Sequence, residues 1–134
     1  MQEALDGYRH TLGSDDISTI STIGNVAAVH TDMGNNDLAL PLRREALERC
    51  RRVLGKDHPE THESAGDLGQ LLFEMGDHAA AAPLLREAVQ GLTDVYSAEH
   101  PNVRHYQSFL NVLADAEEEE ETMYQRMAKR RRRE

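Results

Sequence analysis

The chain has 134 residues, about one domain's worth, with 39% hydrophobic residues, no Trp, two Phe and four Tyr. Ala, Leu and Val must therefore do most of the packing, which suits helices better than sheets. The net charge is −9, yet residues 129–133 read Lys-Arg-Arg-Arg-Arg, so an acidic body precedes a basic tail and the body itself is a poor nucleic-acid binder.

The single cysteine, Cys50, excludes an intrachain disulfide and points to a reducing compartment. No apolar run approaches the length that spans a bilayer, and MQEALDGYRH lacks the apolar core of a signal peptide. The expectation is an intracellular protein without membrane insertion, cytoplasmic by default, with nuclear and organellar placement left open.

The first predicted helix is EALDGYRHTL, from Glu3. Its pattern returns 42 residues later as EALERCRRVLGKDHPE from Glu45, and again at the same offset as EAVQGLTDVYSAEHPN from Glu87. Leu12, Leu54 and Tyr96 align, as do Gly13, Gly55 and Ser97; His58-Pro59 aligns with His100-Pro101, and with Asp16-Ile17 in the first copy. Downstream, DMGNNDLALPLRREA matches EMGDHAAAAPLLREA, which pairs Met33-Gly34 with Met75-Gly76, Ala39 with Ala81 and Pro41 with Pro83. The chain is thus built of repeated units near 3–44, 45–86 and 87–128.

Each unit reads as two helices: roughly 17–33 and 36–54, then 59–75 and 78–96. Gly34 and Gly76 supply the permissive backbone where the first helix of a pair must stop. Asn36 or Asp37, and Asp77, are candidate caps for the next start. Pro41 and Pro83 are expected in about the first turn of the second helix, where a missing N–H costs little. Between the pairs lies LGKDHPETH, residues 54–62. Gly55 ends a helix and Lys56-Asp57 makes the turn. His58 is held extended by the following proline, Pro59 is preset for the first helical position, and Glu60 and Glu63 favour the positive helix end. His58 and His62 are four apart, but no third ligand is near, so the stretch reads as a helix start rather than a zinc site.

The segment AEEEEETMYQRMAKRRRRE closes the chain. In one arrangement the hairpin persists, and Met123, Tyr124 and Met127 fall where Ala39, Leu40 and Arg43 fall in the first copy. In the other, one helix runs from Pro101 far into the tail, because no Gly, Pro, Asn or Ser interrupts the stretch between Val112 and Thr122. The composition favours the continuous helix. Lys129 to Arg133 fit a nuclear address, a nucleic-acid contact or a solvated helix end that suits the dipole, and the last reading is preferred.

No catalytic constellation appears: there is no Gly-rich phosphate loop and no nucleophile elbow. Cys50 is flanked by Arg49, Arg51 and Arg52, whose directions on a helix differ, so a packed, unreactive thiol is expected. His10, His30, His58, His62, His78, His100 and His105 fall at turns, repeat signatures or exposed faces, and His30 is read as a packed imidazole. No catalytic, cofactor-binding or metal-ligating residue is assigned, and the chain is read as not an enzyme.

These residues resemble a tetratricopeptide repeat of the long, 42-residue kinesin-light-chain type. The middle unit carries Leu68-Gly69, Leu72, Gly76, Ala81 and Leu85. The first carries Val26-Ala27, His30, Gly34 and Ala39, with Arg43 in the aromatic place. LGKDHPET is typical of the long form. The resemblance covers residues 3 to about 116 and is strongest in the middle unit. It implies an all-α fold, an α-α superhelix of tetratricopeptide-type hairpins, with about two complete repeats plus partial flanking units over 1–116 and a helical, acidic-then-basic tail over 117–134. Two departures stand out. The chain opens in a second helix without its first, and Glu118 stands where Gly76 would predict a glycine.

The resemblance also implies a non-catalytic protein-interaction module. In this family the first helices of successive pairs line a concave groove that grips a peptide or a partner's helix. Here that face would hold Ser21, Gly24, Asn25, Ala28 and Thr31, then Glu63, Gly66, Asp67, Gln70, Phe73 and Glu74, then His105, Ser108, Phe109 and Val112. Asn25 and Asp67 occupy the place where such repeats present Asn to a bound backbone. Glu63, Asp67 and Glu74, with Arg and Lys nearly absent there, favour a basic or neutral ligand. Nucleic acid is not expected as a partner except through Lys129 to Arg133. The runner-up is a structural subunit held permanently in a larger assembly. Self-association is also expected, since Leu5, Tyr8 and Leu12 at one end and Met123, Tyr124 and Met127 at the other lack a covering unit.

Overall fold

Gly and Pro punctuation divides the chain into five helices in the computed structural model, which describes residues 17–133. They are α1 (Ile17–Asp32), α2 (Asn36–Val53), α3 (Pro59–Glu74), α4 (His78–Val95) and α5 (Pro101–Arg133), with no strand among the described residues. The helix expected over 3–12, with Leu5, Tyr8 and Leu12, lies outside them. The four helices from α1 to α4 start where the repeat places them, and each ends one residue before the expected stop.

The stops follow from backbone geometry. Gly34, Gly55 and Gly76 have φ of 80°, 90° and 87°, the left-handed region that side chains with a Cβ enter only at a cost. The starts use two devices. Asp77 caps α4 by accepting from the Ala80 N–H at 3.3 Å. At α3 and α5 an imidazole does the same work: His58 Nδ1 accepts from the Glu60 N–H at 3.1 Å, and His100 Nδ1 from the Asn102 N–H at 3.2 Å. His58 is extended, at φ −74° and ψ 139°, as its proline neighbour requires. In the LGKDHPETH stretch the histidine is thus an N-cap, and Thr61 ties the turn back by donating its hydroxyl to the Gly55 carbonyl at 2.7 Å.

Two local expectations are corrected. Asn35, not Asn36 or Asp37, precedes α2, and its side chain makes no capping bond; Asn36 and Asp37 are already helical. Pro41 and Pro83 are the sixth residues of their helices, past the first turn. There a missing N–H does remove a hydrogen bond, to the carbonyl four residues back.

The hairpins α1/α2 and α3/α4 pack internally, α3 also packs on α2, and α5 packs on α4 and α3. The main core lies between α3, α4 and α5. It contains Ala65, Leu68, Leu72, Leu85, Ala88, Leu92, Val103 and Tyr106, and Leu47 of α2 joins it. A smaller cluster of Ile23, Val26 and Ala46 holds α1 on α2. The α3–α4 approach is close because Gly69 faces Leu85, where a Cβ would come within 2.9 Å of Leu85 Cγ. His62, only 7% exposed, lies with its ring against Gly91, which leaves no room for a side chain at that glycine.

The third unit does not form a hairpin. With no turn-forming residue at Glu118, α5 continues for 33 residues, about 50 Å. Its last buried residue is Leu113. No helix among the described residues is long and apolar enough to cross a membrane.

Gly76→Val is expected to cost at least about 1 kcal/mol through left-handed strain, a fall of several degrees in melting temperature. Leu85→Ala, at a position with no exposure, should cost more, about 2–5 kcal/mol. Thermal and chaotrope denaturation measure both. An unchanged midpoint for Gly76→Val would contradict the turn assignment.

Candidate partner groove

The face shared by α3 and α5 is built on one small residue and one large one. Gly66 on α3 has no side chain, and Tyr106 of α5 lies directly on it; a Cβ at Gly66 would overlap the phenol ring. Tyr106 is 4% exposed. Its hydroxyl donates to Asp67 Oδ1 at 2.8 Å and to the Glu63 carbonyl at 3.2 Å. Burial, reinforced by the Asp67 carboxylate, pushes the phenol well above its ordinary range. Tyr106 is therefore a neutral donor that orients Asp67.

Asp67 has a second partner. Arg43 reaches from α2 to Asp67 Oδ2 at 3.5 Å, with 18% of its own side chain exposed. It also passes within 4.0 Å of the position a Cβ on Gly24 would take. Arg43 occupies the repeat position of the buried Leu85, opposite Ala27 where Gly69 stands in the next unit. A guanidinium is poorly suited to an apolar hairpin interior, and here it turns to the groove and a carboxylate. A cleft of about 50 Å³ opens there between Thr31, Arg43, Asp67, Gln70, Leu71 and Glu74, room for a side-chain tip.

From Asp67 a polar row follows α3. Gln70 donates to Glu74 Oε1 at 3.1 Å and lies 2.8 Å from His105 Nε2. Glu63 is tied to α5 by Asn102, whose side-chain amide donates to it at 3.2 Å. Beside this row runs an aromatic one. Phe73 meets Phe109 edge-on at 5.1 Å and stacks on His78 at 5.1 Å, while His105 meets Phe109 edge-on at 5.2 Å.

Of the residues assigned to this face by sequence, Glu63, Asp67, Gln70, Phe73, Glu74, His105 and Phe109 are brought together on α3 and α5. Asn25 is exposed and Ala28 half-buried on α1. Among the described helices α1 packs on α2 alone, so these two are not in the polar row. The view that Arg and Lys are nearly absent from the face is corrected by Arg43, which projects into it from α2. Sequence reasoning also missed Tyr106 and Asn102. The signal for Arg43 was a charge in the aromatic slot of the repeat, and for Tyr106 the presence of Gly66 two helices earlier.

The remaining chemistry is sparse. Cys50 is 2% exposed, and burial pushes its thiol above the ordinary range, so it holds its proton at neutral pH. His30 is half-buried, and its Nδ1 lacks a hydrogen-bond partner. Among the described residues no group of three or more His, Cys, Asp or Glu is arranged to hold a metal ion.

A family model described as tetratricopeptide repeat matches residues 18–94, more than half of the chain. No curated protein matches it.

Tyr106→Phe should lower stability by about 1–2 kcal/mol, because Asp67 loses its best donor. The pH dependence gives a sharper check. Tyr106 ionises less readily folded than unfolded, so stability should fall as pH rises through about 10, where unfolded tyrosines lose protons. Tyr106→Phe should show a shallower fall. Parallel stability-against-pH curves for the two chains would remove the buried-donor role.

Proposed function

Because the chain belongs to the tetratricopeptide repeat family, whose repeats are generally protein–protein interaction modules, we propose that it is a non-catalytic binding module. On this reading it takes a peptide or a partner's helix along the face of α1, α3 and α5. The 42-residue period and the His-Pro helix starts support placing it with the long, kinesin-light-chain-like form. The observation that carries the proposal is the pairing of two rows on one face. Asp67, Gln70, Glu74 and His105 form a hydrogen-bonded polar strip, and Phe73 and Phe109 form an aromatic strip beside it.

Such a face suits an extended segment. Amide groups of a peptide find donors and acceptors in the polar row, and an apolar side chain covers the aromatic pair. Ligand charge follows from what remains unsatisfied. Arg43 and Tyr106 already engage Asp67, whereas Glu74 is exposed and, among the described residues, carries only the Gln70 amide. A Lys or Arg near Glu74 is favoured, and an acidic terminus is not. Asn25 and Ala28 would contact the part of the ligand that runs toward α1.

A peptide array should favour ligands that combine a basic and an apolar residue, and their binding should weaken with salt. Glu74→Lys and Phe109→Ala are each expected to weaken a selected peptide by about tenfold, near 1.4 kcal/mol. Preference for acidic peptides, or indifference to both substitutions with the fold intact, would refute this reading.

A further inference from the structure

The groove makes no use of α5 beyond Leu113. From Ala114 to Arg133 the helix runs about 30 Å with no buried side chain. Met123, Tyr124 and Met127 are 59%, 76% and 55% exposed there. Such a cluster on a single helix marks a surface that something covers. The charges around it are sorted rather than mixed: Glu117 to Glu121 lie on one side and Lys129 to Arg133 on the other. Helical neighbours three or four residues on from the acidic block are Glu, Thr122, Met123, Tyr124 or Gln125. Those three or four back from the basic block run from Gln125 to Arg130. The pairs that usually stabilise an exposed helix therefore do not form between these blocks, and none of the ion pairs among the described residues involves either.

We propose that this segment is a homodimer contact in which two copies of α5 pair antiparallel about Gln125. That centre places Glu120 opposite the second copy's Arg130, Glu117 opposite its Arg133, and Met123 opposite its Met127. The facing positions already have the spacing a helix pair needs. Ala116, Glu120, Met123, Met127 and Arg130 recur at alternate steps of four and three. Traced back, this stripe passes through Leu113 and Phe109, the side of α5 that packs into its own domain. One face thus serves the fold first and the second copy beyond it. The contact is two-fold symmetric and closes on itself.

Charge decides the occupant. A parallel pair would set Glu against Glu and Arg against Arg. A nucleic acid or an anionic surface would suit the cations but repel five glutamates. A second, reversed copy satisfies both blocks and covers the apolar residues between them. Within the paired blocks the second copy's Arg133 lies opposite Glu117, one turn beyond Leu113, the last residue of α5 buried in its own domain. The overlap of about 25 Å is short for a helix pair, so the dimer is weak and salt-sensitive.

Sedimentation across protein concentration tests this. The intact chain should pass from monomer to dimer, with at least a tenfold loss of affinity from about 50 to about 500 mM salt. Glu120→Arg alone and Arg130→Glu alone each create like-charge pairs and should each weaken the dimer at least tenfold. Mixed one to one, the two variants should recover it as a heterodimer. Orientation is read by oxidising a mixture of Met123→Cys and Met127→Cys chains, which should cross-link to each other and not to themselves; Cys50 is buried. A monomer at every concentration, a dimer indifferent to both charge variants, or self-cross-linking of Met123→Cys would overturn the proposal.

Discussion

The contact of Tyr106 with Gly66 is the constraint on which the face shared by α3 and α5 depends. It needs a residue without a side chain on α3 and a flat, large one on α5, and it brings the two helices close enough for their polar groups to pair. The phenol hydroxyl then fixes Asp67, and the ladder through Gln70, Glu74 and His105 follows along the same two helices. Apolar packing under the ring and the polar row above it are consequences of one close approach. Enlarging Gly66 would disturb both.

The preceding unit shows what happens without that pairing. Gly24 stands where Gly66 stands in the next unit, but the residue matching Tyr106 is Ser64. No ring spans from α3 to α1, and among the described helices α1 packs only on α2. Arg43 instead crosses the opening and meets Asp67 from the other side. Asp67 is thus held from two directions, by a neutral donor on α5 and a cation on α2. The arrangement reduces the acidity that Glu63, Asp67 and Glu74 suggest together, and leaves Glu74 the more available carboxylate.

Much of the fold was legible because its boundaries are set by local chemistry. Gly34, Gly55 and Gly76 need φ values that other residues avoid, and His-Pro pairs set helix starts, so a 42-residue offset locates the helices to within a residue. The continuous α5 was legible for the same reason, since Glu118 offers no turn. The site was legible only in part. Helical periodicity assigns residues to a face, but it does not say how far a side chain reaches from another helix. Arg43 and Asn102 contribute through reach, and Tyr106 through a hole in its neighbour. The cap of α2 was misplaced because Asn35, Asn36 and Asp37 are all competent cap residues and only the backbone path chooses among them.

The helices α3, α4 and the first part of α5 form one mechanical unit locked at Gly66, with α1 attached through α2. Native-state hydrogen exchange at dilute protein and high salt, resolved by helix, measures this directly. Amides of α3, of α4 and of α5 up to Leu113 should open together at the highest free energy, with α1 opening earlier. If α1 is protected as strongly as α3, or if the first part of α5 opens while α3 stays closed, the Tyr106–Gly66 contact is not what holds the face together.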